Sequence, residues 1–306
     1  MSSATMTNKE LLLSSIKSMD TEEKVDLFVF RPLGLKIALF AKKHGITPNP
    51  ITITSIFAGV GAGHLFYYDN IYLNILGVLL LSLGSTLDSA DGQLARMTNQ
   101  CSQFGRILDG IAGYLWFVSI YLHLILRFYP QNYDHYILVM IGLGVLSHSF
   151  QSGIADYYRN AHLSIVYGKG ELESAIDLKN KYYADKSGMS FFSKIFAIFY
   201  INYTVQQESL TKNFQQLKEY FISDPNARNN EKAIVAYRKF SKPLQKYCNG
   251  LTLNSRFFVI YLSLFLNEIY IYLCYEVIVL NLIAIYMISE HEYESRKLLK
   301  SIRNEK

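Results

Sequence analysis

Asp88-Ser89-Ala90-Asp91-Gly92-Gln93-Leu94-Ala95-Arg96, followed by Gly105, Asp109 and Gly113, is the stretch on which the reading of this chain turns. Apolar residues flank it on both sides, so it reads as helix, turn, helix. On the first helix Asp88, Asp91, Gly92 and Ala95 are spaced i, i+3, i+4, i+7 and share one face, with two carboxylates one turn apart. Gly92 and Ala95 leave that face nearly bare, so a ligand or a second helix can approach the backbone, and Gly105 can do the same on the next helix. Asp109 points back toward the pair if the two helices form a hairpin. Three carboxylates beside apolar segments are costly unless something neutralises them. Hard oxygen donors of this kind suit Mg²⁺, Mn²⁺ or Ca²⁺. The plain alternative is a solvated helix end. Acidic residues set among small ones in a membrane hairpin are rarely idle, which favours a ligand.

Outward from this stretch the chain is apolar. Of its 306 residues 50% are hydrophobic, in runs that a bilayer requires and a soluble core does not. The expected fold class is an all-α integral membrane protein of six transmembrane helices, at roughly 50–68, 72–95, 105–127, 134–157, 254–270 and 272–289. A tight turn at Asn267-Glu268 separates the last two. The expected organisation is an N-terminal segment 1–45, transmembrane helices 1–4 with the site in 46–162, a mostly helical cytoplasmic insertion 163–250, helices 5–6 in 251–290 and a basic tail 291–306. Met1 to Glu23 is mostly polar and does not read as a signal peptide. Leu27 to Lys43 mixes apolar residues with Arg31, Lys36 and Lys42, the pattern of an interfacial amphipathic helix. In the insertion, Glu171 to Lys181 and Ser209 to Phe221 read as helices. Phe191 to Tyr200 is an apolar run too short to span, hence packed or interfacial, and 224–230 reads as a loop.

Basic residues give the sidedness. Lys36, Lys42 and Lys43, then Arg96 and Arg106, then the run from Lys169 to Lys246, then Arg296, Lys297, Lys300 and Arg303 all fall on one side if there are six spans. The other connections are nearly free of positive charge, apart from Arg127 at one edge. The positive-inside rule makes the basic side cytoplasmic, and the carboxylates with it. A net charge of +5 suits anionic lipid and is too modest for nucleic acid. Cys101, Cys248 and Cys274 show no metal or disulfide spacing.

The Asp88–Gly113 stretch resembles the signature of the CDP-alcohol phosphatidyltransferases, D-x2-D-G-x2-A-R-x8-G-x3-D-x3-D, at every fixed position except the last, where Gly113 stands. Ile46-Thr47-Pro48-Asn49-Pro50-Ile51-Thr52 also looks like that family's entry into its first helix. The resemblance implies a six-helix membrane enzyme, a homodimer of the bacterial cytoplasmic (inner) membrane. Such an enzyme transfers the phosphatidyl group of CDP-diacylglycerol to an alcohol and releases CMP, using two divalent cations, Mg²⁺ or Mn²⁺. Carried over by position, Asp88, Asp91 and Asp109 are metal ligands and catalytic. Gly92, Ala95 and Gly105 admit the cytidine and diphosphate, and Arg96 lies near the nucleotide phosphates. Gly113 takes the place of a carboxylate commonly cast as the general base, and Tyr114, about 100° further round the helix, does not replace it. That leaves a base from elsewhere, a weakened or silent CDP-lipid- and metal-binding relative, or a deliberate substitution that traps substrate. A cation channel explains the carboxylates but not Gly92, Ala95, Arg96 and Gly105.

For the acceptor, Arg159 and Arg256 at span ends can hold a phosphate, against the even alternative of snorkelling arginines. Gln151 and Ser152 can bond hydroxyls, although helix packing is the better reading of both. His148 and His162 read as core or interface histidines. The expected acceptor is inositol or inositol phosphate, with glycerol phosphate next.

Overall fold

The structure, a computed structural model, describes residues 11–12, 15–100, 103–132, 134–170, 172, 174–223 and 230–304. Among these residues all regular structure is helical. A π-helical turn at Asp26–Phe30 leads into α1 (Arg31–Lys43), followed by α2 (Pro48–Leu65), α3 (Ile71–Thr98), α4 (Gln103–Asn132) and α5 (His135–Tyr167). Then come α6 (Ala175–Asp185), α7 (Phe191–Leu210), α8 (Lys212–Ser223), α9 (Glu231–Gly250), α10 (Leu253–Leu266), α11 (Ile269–Cys274), a second π-helical turn at Tyr275–Val279, and α12 (Leu280–Asn304).

Local chemistry sets the ends of the helices that matter. Pro48 opens α2, where a missing N–H costs nothing. Asn70 caps α3, its Oδ1 accepting from the N–H groups of Tyr72 at 2.9 Å and Leu73 at 3.2 Å. At the other end Asn99 takes the left-handed conformation, φ 53°, and the N–H of Gln100 closes on the Ala95 carbonyl at 2.9 Å. This is the turn expected after Arg96.

Helices fill the six expected positions. Among the described residues four helical stretches are long and apolar enough to cross a membrane: Ile71–Thr98, Gly110–Pro130, His135–Tyr167 and Ile269–Asn304. At the other two positions, α2 has 18 residues and α10 has 14. At 1.5 Å per residue α10 is about 21 Å long, short of a hydrocarbon core of roughly 30 Å. The turn between α10 and α11 is at Asn267, φ 55°, where the Glu268 N–H donates to the Ser263 carbonyl at 2.9 Å.

The chain divides into two compact units, residues 1–146 with 254–277, and residues 147–253 with 278–306. In the first unit, α2, α3 and α4 meet through small residues. A Cβ on Gly59 would lie 2.2 Å from the buried indole of Trp116, one on Gly63 2.9 Å from the Ile120 backbone, and one on Gly84 3.3 Å from Trp116. Close backbone approach is what holds helices together where apolar burial alone does not drive association. The buried Arg127 ties the α2–α3 connection, the start of α3 and the α10–α11 turn together. Its Nη1 donates to the carbonyls of Phe66 and Tyr68 and to Asn74 Oδ1, its Nη2 to Asp69 Oδ1 and Asn267 Oδ1, all at 2.8 to 3.2 Å.

In the second unit, α8, α9 and α12 pack around an aromatic core. Tyr158 stacks on His291 with ring centroids 3.9 Å apart, beside Phe214 and Tyr237. Glu292 accepts from the first N–H groups of α8, those of Asn213 at 2.7 Å and Phe214 at 2.9 Å, which fixes α8 onto α12. The insertion is helical at α6 and α8, near the two stretches expected. The expected loop at 224–230 lies almost wholly outside the described residues.

Candidate active site

The two faces of α3 have different fates. One face is closed by α1. Ala38 and Ala41 of α1 pack with Ile51, Ala90 and Leu94, and a Cβ on Gly34 would come within 3.0 Å of Ser89 Oγ and 3.1 Å of Gln93 Oε1. The fit of α1 onto α3 therefore needs a glycine. In α1, where an amphipathic helix is expected, Leu35, Ala38 and Ala41 are buried and Leu33 and Phe40 are exposed. The remaining face carries Asp88, Gly92 and Ala95, all half-buried, with Asp91 buried at their edge. Asp88 and Asp91 are thus set one turn apart, as their spacing implies.

Arg96 folds back over Gly92. A Cβ at Gly92 would lie 3.3 Å from Arg96 Nη1, so the bare backbone makes room for the guanidinium. Arg96 Nε donates to the backbone carbonyl of Ser15. The N-terminal segment is held there by further bonds. Arg31 grips Glu22 with two parallel contacts at 3.0 and 3.1 Å, and Gln93 Nε2 donates to the Arg31 carbonyl at 3.1 Å. Asn254 Nδ2 donates to Glu23 Oε2 at 2.8 Å and Asp26 Oδ1 at 3.1 Å. Sequence reasoning missed this contact, since any residue has a carbonyl and Ser15 carries no signal.

On α4, Gly105 lies two residues after the helix begins, and Asp109 lies one turn further. The side chain of Asp109 is outside the described atoms. Among the described residues no group of three His, Cys, Asp or Glu side chains comes together to hold a metal. The donors that are described, two carboxylates on one face beside a glycine backbone, have the hard-oxygen chemistry that a divalent cation takes. Among the described residues an ideal Cβ at Gly113 meets no atom within 4 Å beyond its own helix backbone, so no described neighbour fills the place of the absent carboxylate.

The acceptor candidates are engaged elsewhere. Gln151 is wholly buried in the second unit and donates to Asn281 Oδ1 at 2.9 Å, and Asn281 in turn donates to Ser147 Oγ at 2.8 Å. Arg159, also in the second unit, bonds Asp156 at 3.2 Å and Asn249 at 3.1 Å. Arg256, in the first unit, is fully buried, and its Nε donates to both oxygens of the equally buried Glu276, at 3.2 and 3.0 Å. The signal for this pair was legible: two opposite charges in neighbouring apolar helices seek each other. His162 is buried against Ser241, Nδ1 to Oγ 2.8 Å, and His148 is buried too.

Residues 45–165 match the family model of the CDP-alcohol phosphatidyltransferases. Over 105 residues the chain is 36% identical to an archaetidylinositol phosphate synthase of Pyrococcus horikoshii, covering 34% of this chain and 54% of the relative. Over 65 residues it is 40% identical to a CDP-diacylglycerol–glycerol-3-phosphate 3-phosphatidyltransferase of Rickettsia typhi, covering 21% of this chain and 36% of the relative. An uncharacterised protein of Aquifex aeolicus is 45% identical over 71 residues, 23% of this chain and 34% of that one. The chain thus spans about half the length, or less, of these curated relatives. No solved structure matches it.

Proposed function

We propose that this integral membrane protein is a CDP-alcohol phosphatidyltransferase. It transfers a substituted phosphate from a CDP-linked lipid, CDP-diacylglycerol in the first instance, to an alcohol, with release of CMP. The observation that carries the reading is the set Asp88, Asp91, Gly92, Ala95 and Arg96 on α3 with Gly105 and Asp109 on α4, inside the family match. Asp88, Asp91 and Asp109 would hold two divalent cations, Mg²⁺ or Mn²⁺, which supply positive charge to the cleaved pyrophosphate. Gly92, Ala95 and Gly105 let the nucleotide approach the helices. Arg96 orients its phosphates through a rigid, permanently charged fork. In the reaction the acceptor oxygen bonds to phosphorus, the pyrophosphate P–O bond breaks, CMP leaves, and the acceptor proton passes to a base. With glycine at 113 that base is not a carboxylate at this position.

The acceptor we favour is inositol or inositol phosphate, because a relative matched over 105 residues is named for an archaetidylinositol phosphate product. Glycerol phosphate is second, on the Rickettsia relative. Arg159 and Arg256 then serve the acceptor only after exchanging their present partners. The site faces the cytoplasm in a six-span homodimer of a cell membrane. A second reading, a weakened CDP-lipid- and metal-binding protein, is favoured by Gly113 alone. Titration calorimetry tests the site. Asp88→Asn, Asp91→Asn and Asp109→Asn should each abolish metal-dependent binding of a CDP-linked lipid. Unchanged affinity and metal dependence in all three would overturn the assignment.

A further inference from the structure

The helices α6 and α7 expose large aromatic and aliphatic side chains. Phe191 and Phe199 are 72% and 71% exposed, Ile176 and Tyr183 69% and 64%, and Ile198 and Tyr200 about half. Apolar surface on this scale marks an interaction site. Within the same unit the second half of α7 is firmly seated on α5. A Cβ at Gly153 would lie 2.4 Å from the Tyr203 ring, and Gln207 Nε2 donates to the Gly153 carbonyl at 2.8 Å. Gly153 belongs to a helix apolar enough to cross a membrane, one turn before its first charges, Asp156 and Arg159. The seat of α7 is therefore at the edge of the hydrocarbon.

From this we infer that the first ten residues of α7, with the exposed face of α6, lie in the interface of the bilayer that holds the protein. The occupant of the exposed surface is lipid. The charges favour this depth over a deeper one. Lys179, Lys181, Asp185 and Lys186 on α6 and in the following turn would be buried without partners if the pair of helices plunged toward the midplane. Flat in the interface, the aromatic rings sit at the head-group boundary and the lysines reach the phosphates. Lys186 over the Tyr183 ring, at 5.1 Å from its centroid, already pairs the two chemistries.

The test uses full-length protein in phosphatidylcholine–phosphatidylglycerol vesicles and one added tryptophan, Phe199→Trp or, separately, Phe191→Trp. Trp116 is the chain's sole tryptophan, so the parent protein supplies the background. The added emission should be quenched several-fold more by lipids brominated near the head group than by lipids brominated near the chain end. Stronger quenching by the deep bromines would replace the interfacial position with a re-entrant one and overturn the inference. Emission at blue wavelengths that neither lipid quenches would mean a protein partner such as a second copy. Unquenched emission typical of an indole in water would mean a solvated surface. Either outcome refutes lipid as the occupant. The proposed transferase activity plays no part in the readout.

Discussion

The position at which the signature breaks is the one with room for repair. Among the described residues no atom outside the helix's own backbone lies within 4 Å of a Cβ at Gly113, so an aspartate there meets no described neighbour at its root. If the acceptor proton needs a carboxylate at this position, Gly113→Asp should raise the single-turnover rate of CMP release by on the order of 10²–10⁴. Gly113→Ala, which fills the same space without a base, should leave it unchanged. An unchanged or lower rate for Gly113→Asp would mean that another group already serves. The signature residues were legible because fixed chemistry at fixed spacing survives reading as a string. The Ser15 carbonyl on Arg96 was not, because a backbone contact between residues far apart in sequence leaves no side-chain pattern.

At the scale of elements, glycines divide into those that fit helices together and those that do not. Gly59 admits the Trp116 indole at a distance no Cβ tolerates, whereas Gly142 meets nothing within 4 Å. Gly59→Ala should therefore destabilise the protein by about 1–3 kcal/mol or more through overpacking. Gly142→Ala should be neutral or stabilising by roughly 0.5–1 kcal/mol, as for a helical glycine with no packing duty. Thermal unfolding in detergent checks both, and equal shifts would mean that α2, α3 and α4 are not joined through these glycines. The caps Asn70 and Asn99 emerged only with the fold, while the helices themselves were readable from apolar runs. Their partners were less so: Gln151, weighed for an acceptor, is bonded to Asn281, 130 residues away, and only the fold brings these amides together.

For the whole molecule, the basic residues argue that the turn after Arg96 and the insertion share the cytoplasmic side. Gln100→Cys and Asn180→Cys should react with an impermeant maleimide only from that side, and Tyr67→Cys only from the other. Cys248 will be silent in such an experiment, since burial pushes its thiol up to about 12 and leaves almost no thiolate at neutral pH. A reversed pattern would invert the topology and take the carboxylates away from cytoplasmic nucleotide. The central claim concerns chemistry, and one measurement reaches it most directly: CMP release from CDP-diacylglycerol by the purified protein in Mg²⁺ or Mn²⁺. It should be run with inositol phosphate, inositol and glycerol phosphate, for the parent chain and for Asp91→Asn. Acceptor-dependent release that chelation abolishes and Asp91→Asn lowers by at least about 10² is the predicted result. Tight, metal-dependent binding of the lipid with no CMP released with any of these acceptors, by the parent chain or by Gly113→Asp, would contradict it.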